Sequence, residues 1–451
     1  MRVVVIGAGI IGAACARELA RAGCEVVLLD RGGAAAGTTS HGEGNILISD
    51  KEPGPELALA QLSRDLWPQV LAEPRTGSLP AGRAGHANTA GRAGHANAAG
   101  GAGHANAAGR AGSSDAAGRA GAAGRASRRS AAGAGGPGRR APRAEAEVAE
   151  WEPKGGIVVA TTAAGATALA AFAAAQRAAG VTAVELDDDA VRAAEPHLTR
   201  EYTAAVHYPD DAQVQPAGAA TLLLGDAVAA GAQLRTGCAV TGPVCTGGRL
   251  AAVRTEHGTV GGDAFVNATG PWAGAVSAAL GAPIDVRPRR GEVLVTTPQP
   301  PTVFHKVYDA DYVGAVASDE AAVQTSAVVE STRGGTVLLG SSRRRVGFAD
   351  AMPVAVWSAI AAKALRLFPG LAGVPVMRAY GGFRPFVPDH LPVIGADGRL
   401  PGLWHATGHE GAGIGLSVGT GRILADLICG RTPPIDPVPF SPNRSAIGGL
   451  R

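Results

Sequence analysis

An α/β fold is predicted by three observations. The N-terminus runs through an apolar strand, a glycine turn, a helix-like stretch and a second apolar strand. Two further apolar runs, near residues 264 and 404, also end in glycine-containing turns. Strand-rich text at 291–297 and 336–341 supplies a second layer. Strands alternating with helices read as a mostly parallel sheet covered by helices.

The first unit is the most specific. Val3–Ile6 runs straight into Gly7, Gly9 and Gly12; a helix-like stretch covers Ala13–Ala22; Glu25–Leu29 then ends in Asp30-Arg31. This is the order a dinucleotide site needs. Gly7 permits the turn, Gly9 has no side chain to block a pyrophosphate, and Gly12 lets the helix lie close on the strand. The helix N-terminus around Ile11 offers N–H groups to the phosphates. Asp30 can accept hydrogen bonds from ribose hydroxyls. A Rossmann-like dinucleotide-binding domain is therefore expected.

At 451 residues there is room for two domains. From Pro74 to Glu145 the pattern collapses into Ala, Gly and Arg, with no Val, Ile or aromatic residue and only Leu79 among large aliphatics. Such a stretch cannot bury enough apolar surface to offset its ordering entropy, so 74–146 is expected to be a disordered low-complexity insert. It holds eleven Arg against Asp115 and Glu145, which leaves 30 basic and 36 acidic residues elsewhere. The overall charge of +3 therefore does not indicate a nucleic-acid surface. Gly-His-Ala-Asn recurs at 85–88, 94–97 and 103–106. With no second ligand type nearby, His86, His95 and His104 read as repeat expansion, and no metal site is predicted. The five Cys include no CxxC and read as reduced core residues of a cytoplasmic protein. Residues 155–176 are uncharged but rich in Gly, Ala and Thr; they read as a strand (156–160) and a helix (about 164–179), with no transmembrane segment.

Three stretches choose the dinucleotide. Gly37-Thr-Thr-Ser-His-Gly-Glu-Gly-Asn45 follows Asp30 closely, and its small and hydroxylated residues can wrap a pyrophosphate. Ala264-Phe-Val-Asn-Ala-Thr-Gly-Pro-Trp272 is a strand whose end brings backbone close to a cofactor. Trp404-His-Ala-Thr-Gly-His-Glu-Gly-Ala-Gly-Ile-Gly-Leu416 leads a strand through a turn into a helix from Gly413 to about Cys429. That turn aims a positive dipole end at something anionic. A reduced flavin carries its negative charge at N1/O2, so the device suits FAD. An NAD-dependent dehydrogenase would explain the N-terminal unit alone and leave the distant stretches idle.

Together with Gly381-Gly-Phe-Arg-Pro-Phe-Val-Pro-Asp-His-Leu-Pro-Val-Ile-Gly395, these motifs resemble the FAD-dependent D-amino-acid oxidase superfamily, in the branch of glycine oxidase, sarcosine oxidase and D-amino-acid dehydrogenases. The 37–55 stretch is similar to hydrogen cyanide synthase and D-hydroxyproline dehydrogenase flavoprotein subunits. The resemblance implies an FAD domain over 1–50, 215–283 and 381–440, interleaved with a mixed-sheet α+β substrate domain over 51–73, 147–214 and 284–380. It implies an enzyme acting on CH–NH2 or CH–NH donors, with a small amino or imino acid as substrate and oxygen, a quinone or a partner redox subunit as acceptor. A flavin-binding subunit without catalysis, or an enzyme disabled by the insert, is the alternative.

The residues expected at FAD are Gly7, Gly9, Ile11, Gly12, Asp30, Arg31, Thr38, Thr39, Ser40, His41, Gly44, Asn45 and Ile46 from the first segment. Ala268, Thr269, Gly270 and Trp272 come from the second, and Gly408, Gly411, Ala412, Gly413, Ile414, Gly415 and Leu416 from the third. Val240 matches the family valine whose backbone meets the adenine. His41 sits where some relatives join FAD covalently, but Gly-Glu-Gly-Asn after it departs from their pattern, so noncovalent FAD is expected. An amino-acid oxidase must hold a carboxylate and present Cα–H to flavin N5, so it needs orientation more than a strong base. Arg384 matches the family's substrate-carboxylate arginine, and its planar fork suits the task; a salt bridge to Asp389 is the structural alternative. Tyr308, Tyr312 and His409 complete the candidate catalytic set: one Tyr can hydrogen-bond the substrate, with core or lid packing as the alternative for either, and His409 can line the flavin's substrate face or cap its turn.

Overall fold

The computed structural model describes residues 1–73, 147–310 and 322–447. The expected insert, its three histidines and Tyr312 lie outside the described residues.

The N-terminal unit forms as read. β1 (Arg2–Ile6), α1 (Ile10–Arg21) and β2 (Glu25–Leu29) follow one another with almost no connecting chain. They belong to a six-stranded sheet with the order Val393–Ala396, Leu403–Thr407, Ala264–Asn267, β1, β2, Gln233–Arg235. All its pairings are parallel except the first. Val3, Val4, Val5, Val26 and Val27 are fully buried, as strands covered on both faces must be. α1 packs against helices Pro216–Ala229 and Gly413–Ile428, and the latter packs on Pro55–Ala72. Strands from widely separated segments thus bring their C-terminal ends, and the turns that follow, to one edge of one sheet.

The second large sheet has eight strands in the order 376–386, 287–296, 337–343, 324–331, 306–309, 156–160, 204–208, 184–185. It is antiparallel except where Lys306–Asp309 pairs with Gly156–Ala160. Helix Val354–Leu367 covers it, burying Val356, Ile360, Ala364 and Leu367. Smaller antiparallel pieces, 240–246 with 249–255 and 258–261, and 45–46 with 212–213, complete the set. Among the described residues no helix is long and apolar enough to cross a membrane, and no group of three or more His, Cys, Asp or Glu is arranged to hold a metal.

Candidate active site

The turn after β1 shows why glycine is required. Gly7 has φ +107°, and a Cβ there would lie 2.6 Å from the Ala268 carbonyl oxygen. Gly12 is tighter: a Cβ on it would overlap the Gly7 carbonyl oxygen, so only glycine lets α1 approach β1. The N-cap Gly9 has no side chain to offer; the Ile10 N–H donates to Thr39 Oγ1 (3.0 Å), which draws the 38–41 turn to the helix end. Asp30 accepts from Ala8 N–H (2.7 Å) and Gly32 N–H (2.8 Å), so the expected ribose partner also fixes the turn.

Around this turn lies a cavity of about 700 Å³, within the range of small-molecule and cofactor sites. Its walls include Gly7, Gly9, Ile11, Asp30 and Arg31 from the first unit, and Thr38, Thr39, His41, Gly44 and Asn45 from the loop after it. Val240, Ala268, Thr269, Gly270 and Trp272 come from the middle of the chain, and His409, Gly411, Gly413, Ile414 and Arg384 from its end. Five separate segments singled out by sequence therefore meet at one site. The N-cap residue of helix 413–428, Ala412, makes no side-chain cap bond. Two helix N-termini at one cavity, α1 keeping further N–H groups beyond the Ile10–Thr39 bond, suit the anionic parts of a dinucleotide. The Arg31 guanidinium lies 4.2 Å over the Trp272 ring, which stacks on Phe348; that stack forms a flat wall.

Other expected residues stand behind the wall. Gly12, Ser40, Ile46, Gly408, Ala412, Gly415 and Leu416 do not line the cavity. Gly415 earns its place by packing: a Cβ there would press on Asn45 O at 3.1 Å. Tyr308 is placed in the core. It is fully buried in the centre of the eight-stranded sheet, opposite Val158 and Val328, and its hydroxyl donates to Ser49 Oγ (2.5 Å). Tyr308 does not line the cavity, which is the core-packing alternative for this residue.

Arg384 faces the cavity from strand Val376–Phe386, in register with Arg289. Its guanidinium fills the space a Cβ on Gly291 would take and donates to Ser342 O (2.7 Å). Asp389, the alternative partner, is instead gripped by Arg444 at 2.6 and 3.0 Å. His409 is buried, with Nε2 2.9 Å from Thr420 Oγ1. Thr420 already donates to Leu416 O (2.9 Å), so Nε2 carries the hydrogen. Burial pushes the imidazole down to about 3, so it stays neutral near pH 7 and anchors the turn to the helix. His41 Nδ1 meets Gly37 O at 2.9 Å, and its Cβ packs under Gly382.

Sequence reasoning passed over several wall residues: Glu43, Arg290, Phe383, Asp350 and Glu410. Glu410 holds a left-handed backbone (φ +43°) that costs energy for a non-glycine residue. Its carboxylate bonds His390 Nδ1 (2.7 Å) and Arg289 Nη1 (3.0 Å), which secures the conformation at the helix entrance. Arg290, almost wholly buried, pairs with Asp350 and with Glu292 at 3.6 Å. Behind Glu43 sits Lys306, 3.2 Å from Glu330 and 3.8 Å from Glu43. Burial pushes the enclosed Glu330 up, and Lys306 opposes this. Charge inside the otherwise apolar strand 287–296, and a Glu between two glycines at 42–44, were the available signals.

Over 257 residues the chain is 30% identical to hydrogen cyanide synthase subunit HcnC of Pseudomonas aeruginosa, covering 56% of this chain and 58% of the relative. Glycine oxidase of Pseudomonas putida is 30% identical over 211 residues, 47% of this chain and 53% of the relative. The first curated relatives are matched over only 35% to 61% of their own length. Among solved structures, glycine oxidase from Geobacillus kaustophilus superposes with a TM-score of 0.75 at 23% identity, covering 98% of this chain and 99% of that one; this likeness concerns the fold. Residues 2–104 and 93–427 match the DAO family, described as FAD dependent oxidoreductase. The chain belongs to that family of FAD dependent oxidoreductases.

Proposed function

We propose that this protein is an FAD-dependent enzyme that oxidises the C–N bond of a small amino acid, such as glycine, sarcosine, a D-amino acid or a D-proline-like imino acid. Arg384 carries the reading: a guanidinium on the cavity wall, braced by Ser342 O, is suited to grip a carboxylate. FAD would be held noncovalently by the two helix ends, Asp30 and the 38–45 loop, in a domain spanning 1–50, 215–283 and 381–440. Residues 51–73, 147–214 and 284–380 would form the substrate domain. When bound, FAD would supply the two-electron oxidation of the carbon bearing the amine, and water would hydrolyse the resulting imine. The protein's task is to fix the carboxylate and so aim that carbon. The meeting of 264–272 and 404–416 with the N-terminal turn favours FAD over NAD, which would use only the turn.

The test is direct. Protein purified with FAD should show oxidised-flavin bands, release FAD on acid precipitation, and be bleached anaerobically by at least one of glycine, sarcosine, D-alanine and D-proline. Reoxidation by oxygen or by a quinone then separates oxidase from dehydrogenase. Recovery of NAD, or a flavin that none of these amines reduces, would overturn the proposal.

A further inference from the structure

We infer that Glu43 is the partner of the substrate's amine nitrogen and works opposite Arg384 as the second half of a zwitterion clamp. This rests on the amino-acid reading above and adds to it a specificity-determining residue.

Both groups border the same cavity, and both abut one strand, 337–343. Arg384 donates to Ser342 O, while the Glu43 carboxylate occupies the space a Cβ on Gly340 would need. Two residues along an extended chain span at most about 7 Å. The two groups thus meet the same short stretch of strand, and a ligand with ammonium and carboxylate on one carbon would present one charge to each by charge-assisted hydrogen bonds. A simple carboxylic acid would engage only the arginine.

The carboxylate is also prepared for this use. The Glu43 side chain is 8% exposed. Its Oε2 accepts from Asn45 Nδ2 (3.0 Å), and Asn45 is in turn engaged by Lys306. Its Oε1 has no hydrogen-bond partner among the described residues. A buried carboxylate oxygen left without a donor is costly in a protein that only folds, and it is what a site awaiting an N–H donor presents. Lys306 meets both Glu43 and Glu330, so one ammonium serves two carboxylates. Of the two, only Glu43 borders the cavity. The bracing by Asn45 and Lys306 fixes the rotamer, so little freedom remains to be lost on binding.

The experiment uses the FAD-loaded full chain and two sets of probes. Glycine, sarcosine, D-alanine and D-proline carry both charges; acetate and propionate carry one. Anaerobic flavin reduction gives half-saturation and limiting rate for the first set, and perturbation of the flavin absorption gives affinity for the second. In Glu43→Gln, half-saturation for the amino acids should rise tenfold or more, while acetate and propionate bind within twofold of wild type. Glu43→Asp, which keeps the charge on a shorter arm, should lie between and guards against misfolding of the Gln variant. Equal weakening of both sets in both variants would show a merely structural residue and overturn the clamp. So would unchanged affinity for the amino acids. A wild-type flavin that no amino acid reduces, yet which binds acetate, would overturn the amino-acid reading and the clamp together.

Discussion

Arg384 and Tyr308 are both candidates for the substrate from sequence, and the structure places one on the cavity wall and the other in the core. Arg384 lies on a strand paired with 287–296, where Gly291 has no side chain, so the long arginine side chain has somewhere to go. Tyr308 is enclosed by valines on both neighbouring strands. The difference lies in strand pairing between distant segments, which no local window contains. Arg384→Ala should leave the flavin spectrum nearly unchanged while removing the carboxylate's bidentate partner. Hydrogen bonds to charged groups are worth about 1.5–3 kcal/mol, and misalignment adds to this, so amino-acid reduction should slow roughly a hundredfold or more. Arg384→Lys should recover only part, since a point charge lacks the planar fork. Stopped-flow reduction across substrate concentrations measures this; wild-type rates and affinity in the Ala variant would remove Arg384 from the site. Glu43 was overlooked for a related reason. Its loop was read for small residues around a phosphate, and only the packing of 340 against 43 gives the acid a purpose.

At the scale of elements, the helix 413–428 joins packing to the site. Its N-terminus borders the cavity, while Gly419 and Gly421 let it lie on Pro55–Ala72 and α1. A Cβ on Gly421 would come within 2.7 Å of the Ala14 backbone, and one on Gly419 would strike Ser63 and Leu59. Gly421→Val should therefore overpack the helix contact. Such insertions typically cost about 1–3 kcal/mol, and here they would also displace the helix end. The expected result is a lower melting temperature and faster loss of FAD on dilution. Gly370→Ala, with nothing within 4 Å of the new methyl, should change neither and serves as the control. A Gly421→Val protein that melts and holds FAD like wild type would show that the contact can relax. Elements with strong local signals were legible in the sequence: β2, the strand 156–160 and the helix 163–178 fall within a residue or so of their expected bounds. Strand 376–386 was less so, because Gly-Gly-Phe-Arg-Pro-Phe lacks an alternating apolar pattern and is held by pairing with 287–296. The parallel contact of 306–309 with 156–160 left no local trace at all.

Across the whole molecule, the segment that follows the 37–45 loop is tied to the eight-stranded sheet through one buried acid. Asp211 accepts from Ile48 N–H (2.9 Å), Ser49 N–H (3.3 Å) and the Ser49 hydroxyl, and its side chain packs against Gly156. The Asp211 backbone carbonyl takes the Gly155 N–H (3.0 Å), and the Tyr308 hydroxyl closes the group on Ser49. Burial pushes the Asp211 carboxyl up to about 7, outweighing the hydrogen bonds that favour its charge. The folded protein thus holds this proton more tightly than the unfolded chain, whose carboxyl titrates near 3.8. Stability from this group is fully present below that lower value and is lost as pH rises through about 7. Asp211→Asn keeps an acceptor for the backbone donors but has no proton to lose. Its melting temperature should therefore fall below wild type at pH 5 by more than at pH 8, with the gap narrowing or reversing across pH 5 to 7. Calorimetry or circular dichroism of both proteins in matched buffers supplies the comparison, and subtracting one curve from the other removes the shared titrations. A difference that does not vary with pH would mean that Asp211 is ionised in the fold throughout. The junction would then be held by a charged carboxylate on three donors rather than by a shared proton.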